Sequence, residues 1–376
     1  MELAELKDIK PRQIKILTEA GIDSLEALAM SSPKDITDLE GISAKMAKKL
    51  VWHGRDALNM TTFKQVSTIV ENFEYITTGS ENFDEILGGG ISTGRISEVY
   101  GAFKSGKTNL SHTLCITCQL PKVQGGLGGT VLFIDTENTF SKVKVTRIAR
   151  RYGLDPEKAL AKIYHARIFS TDHQLQMVRA AEAAIKEKGA KLIIVDSLMA
   201  LMRAEYIGIG MLAARQQVLN KLIHSLSRIA ETYNIAVLLT NQVGVVIKGS
   251  FSANDAIGGN IVAHGCHFRI QFKTKGFSAN NSLLRTATIV DAPDLAPESA
   301  EFYITEAGIS DDETITYPDV KLTKGGKKAS KTTEEEVFLV ASNEEDPLAG
   351  MDTKAAPKKK IPARKATRRK TSSKAK

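Results

Sequence analysis

The residues Gly101-Ala102-Phe103-Lys104-Ser105-Gly106-Lys107-Thr108 have the types and the spacing that hold a polyphosphate. Two glycines let the backbone curl so that several N–H groups face inward. The helical run that begins at Lys107 and Thr108 and continues through Asn109 adds the positive potential of a helix N-terminus. Lys107 would reach the β- and γ-phosphates and the Thr108 hydroxyl would ligate Mg²⁺. The strand-like Ile96-Ser-Glu-Val-Tyr100 just before the loop separates this pattern from a chance glycine-rich turn. A nucleoside triphosphate site needs two further parts. The apolar run Leu192–Val195 ends in Asp196, a carboxylate for the metal. Val131–Ile134 ends in Asp135-Thr136-Glu137, where Glu137 either polarises an attacking water or caps the helix that follows. A fourth run ends in Thr240-Asn241-Gln242, and Gln242 is positioned to sense a γ-phosphate.

The elements that position these residues follow from hydrophobic patterning. Short branched strands are predicted at 96–100, 130–135, 191–196 and 235–240, with helices at 107–120, 143–152, 172–188 and 211–232 between them. The continuously apolar runs at 131–134 and 192–195 suit strands covered on both faces, so the fold class is α/β with a mostly parallel sheet. Runs at 268–272, 285–290 and 300–304, separated by turn residues, extend one edge as antiparallel strands.

Four segments are expected: 1–58, compact and helical; 59–76, a tether without Gly or Pro; 77–312, the catalytic core; and 313–376, a disordered tail. The tail is basic from 354, with eleven Lys and Arg and no acid, so the +8 of the whole chain leaves −3 for the first 353 residues. It reads as a polycationic nucleic-acid arm, or as a nuclear-type address or a solubility device. The 42% hydrophobic content of the 376 residues excludes disorder throughout. No run of 18 apolar residues points to a membrane span, and Met1–Lys10 lacks the form of a secretory signal. Three cysteines suit a reducing cytosol. Cys115 and Cys118 form a C-x-x-C inside a predicted helix, with His112 completing only three metal ligands, which favours packing over a metal or redox role.

The order of motifs resembles the RecA-type recombinase family, above all its archaeal RadA branch, over residues 5–312. The resemblance rests on Thr78-Gly79-Ser80, Gly88-Gly89-Gly90-Ile91, the phosphate loop, Ile134-Asp135-Thr136-Glu137 and Ile194-Val195-Asp196-Ser197. It continues through Arg203–Tyr206, Arg215-Gln216-Gln217, Thr240–Val243 and Ile257–His264. It implies a RecA-like P-loop NTPase core behind a small helix-hairpin-helix domain. It also implies an ATP-driven homo-oligomer, a filament or ring, that coats single-stranded DNA and exchanges it into a homologous duplex.

On that resemblance Lys107, Thr108 and Asp196 hold Mg-ATP, Glu137 activates water, and Gln242 and His264 report the γ-phosphate. Asp291 and Pro297 cap the ATP of a neighbouring protomer, and a monovalent cation beside Asp291 is left open. Residues 203–212 and 243–260 match the two DNA loops, the second glycine-bearing and expected to be mobile, with Arg203, Arg215 and Lys248 as DNA-facing cations. Leu39–Leu50 reads as a helix-hairpin-helix that grips phosphate near Lys45, Lys48 and Lys49, although those lysines also fit a solvated face. Recombination mediators are further partners compatible with this family, and no membrane is.

Four positions depart from the family pattern. Asn138 stands for Gly, and Asn tolerates the left-handed backbone. Lys144 stands for an Arg that stacks on adenine. Ile209 stands for an Arg in the first DNA loop. Met60-Thr61-Thr62-Phe63 replaces the Phe-x-x-Ala peptide that docks one protomer on the next, with either Met60 or Phe63 as anchor. The complete ATP set favours a strand-exchange recombinase. An accessory paralogue that scaffolds recombinase filaments with little turnover is the alternative, and a hexameric helicase is a distant third.

Overall fold

Branched apolar residues at alternating positions face two different cores, and this alternation builds the molecule. The computed structural model describes residues 2–6, 9–248, 251–275 and 283–318. The tail beyond 318 and the side chain of Lys248 lie outside the described residues.

The N-terminal region folds as α1 (Pro11–Glu19), α2 (Leu25–Met30), α3 (Pro33–Thr37) and α4 (Ala44–Ala57) around Leu17, Leu25, Leu28, Ile36, Leu50 and Val51. Three serines start three of these helices. Ser24, Ser32 and Ser43 each accept a backbone N–H three residues on, at 3.2–3.3 Å, a cap worth about 1 kcal/mol apiece. Gly41 turns the chain into α4 with φ +94°, a conformation that side chains disfavour. Between this region and the core, Met60, Phe63, Val66, Ile69 and Val70 all stand exposed.

A two-stranded ribbon, β1 (Tyr75–Ile76) and β2 (Ile91–Ser92), encloses α5 (Glu81–Ile86). The core continues through β3 (Ile96–Gly101), α6 (Lys107–Thr117), β4 (Thr130–Asp135), α7 (Lys142–Arg151), α8 (Pro156–Leu160) and β5 (Ile163–Arg167). Then come α9 (Thr171–Lys188), β6 (Ala190–Asp196), α10 (Ala200–Glu205), α11 (Leu212–Tyr233), β7 (Ala236–Lys248) and β8 (Phe251–Ala256). The last elements are α12 (Asn260–Gly265), β9 (Phe268–Thr274), β10 (Leu284–Asp291), β11 (Ser299–Thr305) and β12 (Gly308–Ser310).

The main sheet runs β12-β11-β10-β9-β3-β7-β6-β4-β5, with β8 paired to β7. Every pair from β9 to β5 is parallel, and β9 through β12 are antiparallel to one another. Val131, Phe133, Leu192, Ile194 and Leu238 face one core with Leu110 and Leu114 of α6. Leu132, Ile134, Ile193, Val195 and Leu239 face the other, with Leu219, Leu222 and Leu226 of α11. This period of two on strands covered on both faces is why these segments read as unbroken apolar runs.

The structure departs from the sequence expectations at four places. The strand expected to be antiparallel at 268–272 pairs parallel with β3, and is antiparallel only to β10 on its other side. Residues 243–260 are not a featureless loop: β7 runs on to Lys248 and pairs with β8 from Val243↔Ala256 to Lys248↔Phe251. The edge strand β5 carries no apolar run and was not expected. The chain also stays ordered past 312, where the Arg147 guanidinium lies 5.5 Å over the Tyr317 ring.

One buried ion pair ties together the strands that carry the site. Glu98 on β3, fully buried, accepts from Arg269 Nε on β9 at 2.9 Å and from Asn241 Nδ2 on β7 at 2.8 Å. Removing one partner leaves the other buried and uncompensated, so Arg269→Ala is expected to lower unfolding free energy by about 3–5 kcal/mol. Urea denaturation of the two proteins measures it; a loss below about 1 kcal/mol would mean that water or proton uptake relieves Glu98.

Candidate nucleotide and DNA site

Parallel strands end together, and the register brings the chemistry to one edge. Gly101, which closes β3, pairs with Gln242 on β7, and Asp135 on β4 pairs with Asp196 on β6. The carboxyl ends of such strands are where open α/β sheets bind ligands.

The loop from Gly101 to Thr108 joins β3 to α6. A Cβ on Gly101 would lie 2.5 Å from the Phe272 carbonyl oxygen, and Gly106 sits at φ +108° with its Cβ direction 2.2 Å from Ile304 Cδ1. No larger side chain fits either position. Gly106 is also the N-cap of α6 and offers no side-chain acceptor, so the first-turn N–H groups are open to an anion. Within the loop Phe103 is exposed, Lys104 takes a left-handed φ of +63°, and Ser105 is buried. Asn109 lies in the first turn of α6, its carbonyl accepting from Thr113 Oγ1 at 2.8 Å.

Lys107 Nζ donates to the carbonyls of Gly101 and Ala102, both at 3.0 Å, and to Ser105 Oγ at 3.4 Å. Burial lowers the pKa of this ammonium, while the carboxylates of Asp196 and Glu137 oppose the shift. Asp196 is buried and hydrogen-bonded by the hydroxyls of Thr240, Thr108 and Thr139; burial raises its pKa and the Thr240 and Thr108 bonds hold it back. Thr108 and Asp196 thus form an all-oxygen pair beside the phosphate loop, the donor chemistry that suits Mg²⁺.

Asp135 was not singled out by its sequence context, yet it builds the turn that presents Glu137. Its Oδ1 accepts the backbone N–H groups of Glu137, Asn138 and Thr139 at 3.1, 2.6 and 3.2 Å. Its Oδ2 accepts Phe140 N at 3.2 Å and His165 Nε2, on β5, at 3.1 Å. Burial would raise the pKa of this carboxyl, but these bonds outweigh burial and hold it below the usual range. Asn138 adopts φ +59°, the left-handed turn that glycine usually occupies. Ser141 Oγ accepts Lys144 N at 3.2 Å and caps α7, so Glu137 is free of the capping role. Instead, Glu137 Oε1 accepts Ser197 Oγ at 2.7 Å and Gln242 Nε2 at 2.9 Å, and Gln242 Oε1 accepts Arg203 Nη1 at 3.0 Å. The Asp196–Ser197 peptide that leads into this cluster is cis.

Lys144 does not present its ammonium as a stacking group: Nζ donates to the Thr305 carbonyl, and burial lowers its pKa to about 8 against the pull of Glu306. Asp291 and Pro297 are exposed. Asp291 pairs with Arg269, and Arg269 with Glu98, so it lies three residues of β3, roughly 10 Å, away from the level of Gly101. It therefore lies apart from the phosphate loop of its own chain. His264 is exposed on α12.

Of the cations expected to face DNA, Arg203 is exposed on α10, while Arg215 is half-buried on α11 with its Nε lacking a hydrogen-bond partner. Lys248 ends β7 opposite Phe251. Ile209 is 94% exposed. Lys45 and Lys48 are exposed on α4, beside the Gly41 turn. Met60 is partly and Phe63 fully exposed.

A cavity of about 570 Å³ opens at the β4–β5 edge, lined by Phe140, Leu160, Ile163 and His165 together with Asp135, Asn138 and Lys142. The three cysteines are free and buried, and burial pushes Cys118 up to about 12. His112 is buried and accepts Ser141 N at 3.1 Å, with burial pushing its pKa down to about 4. Among the described residues no cluster of three His, Cys, Asp or Glu side chains could hold a metal, and no helix is long and apolar enough to cross a membrane.

A family model described as Rad51 matches residues 70–312, and a SAM-like helix-hairpin-helix tandem model matches residues 1–56. The DNA repair protein RAD51 of Saccharomyces cerevisiae is 39% identical over 317 residues, covering 83% of this chain and 78% of that protein. The DNA repair and recombination protein RadA of Cenarchaeum symbiosum is 40% identical over 321 residues, covering 83% and 79%. RadA of Aeropyrum pernix is 39% identical over 317 residues, covering 83% and 97%. Because the family match runs through every strand of the main sheet and these relatives share about two-fifths of their residues across it, the chain belongs to the Rad51 family of RecA-type recombinases.

Proposed function

We propose that this protein binds Mg-ATP, polymerises on single-stranded DNA, and pairs and exchanges that strand with a homologous duplex, hydrolysing ATP to ADP and phosphate when DNA is bound. The observation that carries the reading is the meeting of Lys107, Asp196 and Glu137 at one sheet edge, with Arg203 of the first DNA loop one side chain away through Gln242. The names of the relatives, which speak of DNA repair and recombination, support it.

In this reading the inward N–H groups of the loop and the Lys107 ammonium neutralise the triphosphate, and Thr108 and Asp196 hold Mg²⁺. The metal, when bound, screens charge on the β- and γ-phosphates. Glu137 takes a proton from water as its oxygen bonds to the γ-phosphorus, the bond from that phosphorus to the β–γ bridging oxygen breaks, and ADP carries off the electron pair. Asp291 and Pro297 face a neighbour, which makes the site complete only between two protomers. His264, on α12, is the second reporter of the γ-phosphate. Arg203, Arg215 and Lys248 track the DNA backbone, with Lys45 and Lys48 of the N-terminal region as further phosphate contacts. Adenine stacking by Lys144 has no support from its hydrogen bond to Thr305.

Assembly through the tether favours Phe63 over Met60 as the anchor. Phe63 is fully exposed among the described residues, and the β5 edge offers an open cavity with aromatic and aliphatic walls. Phe63→Ala is expected to weaken self-association about 10- to 100-fold, the loss of a buried Phe side chain of about 1.5–3 kcal/mol, and Met60→Ala by less. Light scattering across a dilution series measures both; a larger loss in Met60→Ala would move the anchor to that residue.

The function is tested by measuring ATP hydrolysis with and without single-stranded DNA, and displacement-loop formation by the same sample. DNA-stimulated hydrolysis with joint molecules is expected. Hydrolysis that ignores DNA, or an absence of joint molecules, would favour the filament-scaffolding alternative.

A further inference from the structure

Three side chains from three elements form a chain of hydrogen bonds between the DNA-facing helix and the water-activating acid. Arg203 Nη1, on α10, donates to Gln242 Oε1 at 3.0 Å. Gln242 Nε2, on β7, donates to Glu137 Oε1 at 2.9 Å, and the same oxygen accepts Ser197 Oγ at 2.7 Å. We infer that Arg203 is a positioning residue: without DNA it pins the Gln242 carboxamide onto Glu137 and restrains hydrolysis, and a DNA phosphate lifts the restraint by taking the guanidinium. This rests on the function proposed above and adds to it the route by which DNA reaches the base.

The chemistry of each group supports this assignment. A carboxamide has one acceptor end and one donor end, and only the donor end can face a carboxylate. The guanidinium, which donates only, fixes Gln242 in that sense by holding its oxygen. Two donors then occupy Oε1 of Glu137, one of the two oxygens with which it would take a proton from water. The same bond keeps the Gln242 amide turned toward Glu137 and unavailable to a phosphate. Arg203 is exposed, so a nucleic-acid phosphate can approach it. An anionic phosphate oxygen is a stronger acceptor for a guanidinium than a neutral amide oxygen, so DNA wins the competition and Gln242 loses the partner that orients it.

A plain phosphate contact makes a different prediction, which allows a clean test. The Arg203 side chain is exposed, so Arg203→Ala leaves the core residues in place and the comparison runs on the full-length protein. With restraint, the DNA-free rate of ATP hydrolysis by Arg203→Ala rises about 3- to 10-fold, the scale of one lost hydrogen bond, and stimulation at saturating DNA falls toward one. Arg203→Lys, whose ammonium can still donate to Gln242 Oε1, keeps the low DNA-free rate. An unchanged or lowered DNA-free rate in Arg203→Ala, with only more DNA needed for half-maximal stimulation, overturns the inference. If instead the unmodified protein shows no DNA stimulation, the proposed function fails before this assignment is reached.

Discussion

Lys107→Ala is expected to abolish ATP hydrolysis and displacement-loop formation together. The lysine donates to two loop carbonyls, those of Gly101 and Ala102, at 3.0 Å, whereas the Arg285 guanidinium from β10 reaches the Lys104 carbonyl, at 3.3 Å. It is half-buried between those carbonyls and the carboxylates of Asp196 and Glu137. Without it, a tetra-anionic triphosphate would meet the carboxylates of Asp196 and Glu137 with no ammonium between them. Loss of one preorganised donor at a charge-developing site costs about 10²–10³ in rate, and losing the ammonium also removes ground-state attraction, so turnover falls below detection. Binding of a fluorescent ATP analogue separates the two contributions; retained nucleotide affinity with retained turnover would contradict the role given to Lys107.

Glu137→Gln separates chemistry from binding. The carboxylate stands just past the end of β4 on a turn wired by Asp135, accepts its hydrogen bonds from Ser197 and Gln242, and both of these are neutral donors. An amide at this position keeps the size but cannot take a proton. Hydrolysis is expected to drop about 10²–10⁴-fold, while ATP binding and assembly on DNA persist and filaments outlast those of the unmodified protein. Single-turnover hydrolysis and filament lifetime by fluorescence measure the two halves. A parallel loss of nucleotide binding would mean that Glu137 organises the loop instead of acting on water.

The parts of the site that were legible in the sequence are those fixed by short stretches of chain. Gly101 to Thr108 carries its own geometry in two glycines and a helix start, and Asp196 announces itself as the first charge after a buried run. Parallel pairing then sets Gly101 beside Gln242 and Asp135 beside Asp196, as the repetition of strand and helix implied. The rest depends on partners distant in the chain. Asp135 looked like the first acid of a pair, and only the turn backbone and His165 from β5 make it the scaffold of Glu137. That strand escaped notice because an edge strand such as Ile163–Arg167 is half-exposed and carries no apolar run. Lys144 read as a base-stacking cation because nothing nearby in sequence reveals the Thr305 carbonyl that takes its proton donors. The hairpin at β7 and β8 was hidden by glycines that suggested a loop, although Val243, Val245 and Ile247 alternate along the strand. The bond from Arg203 to Gln242 spans 39 positions, and no local pattern encodes it.

Electron microscopy of the protein with Mg-ATP and a long single-stranded oligonucleotide tests most directly whether ATP between adjacent copies drives assembly on DNA. Regular filaments covering the oligonucleotide, which dissolve when ATP is omitted or Phe63 is changed to Ala, are the predicted result. Dispersed single particles at saturating nucleotide and DNA would contradict it.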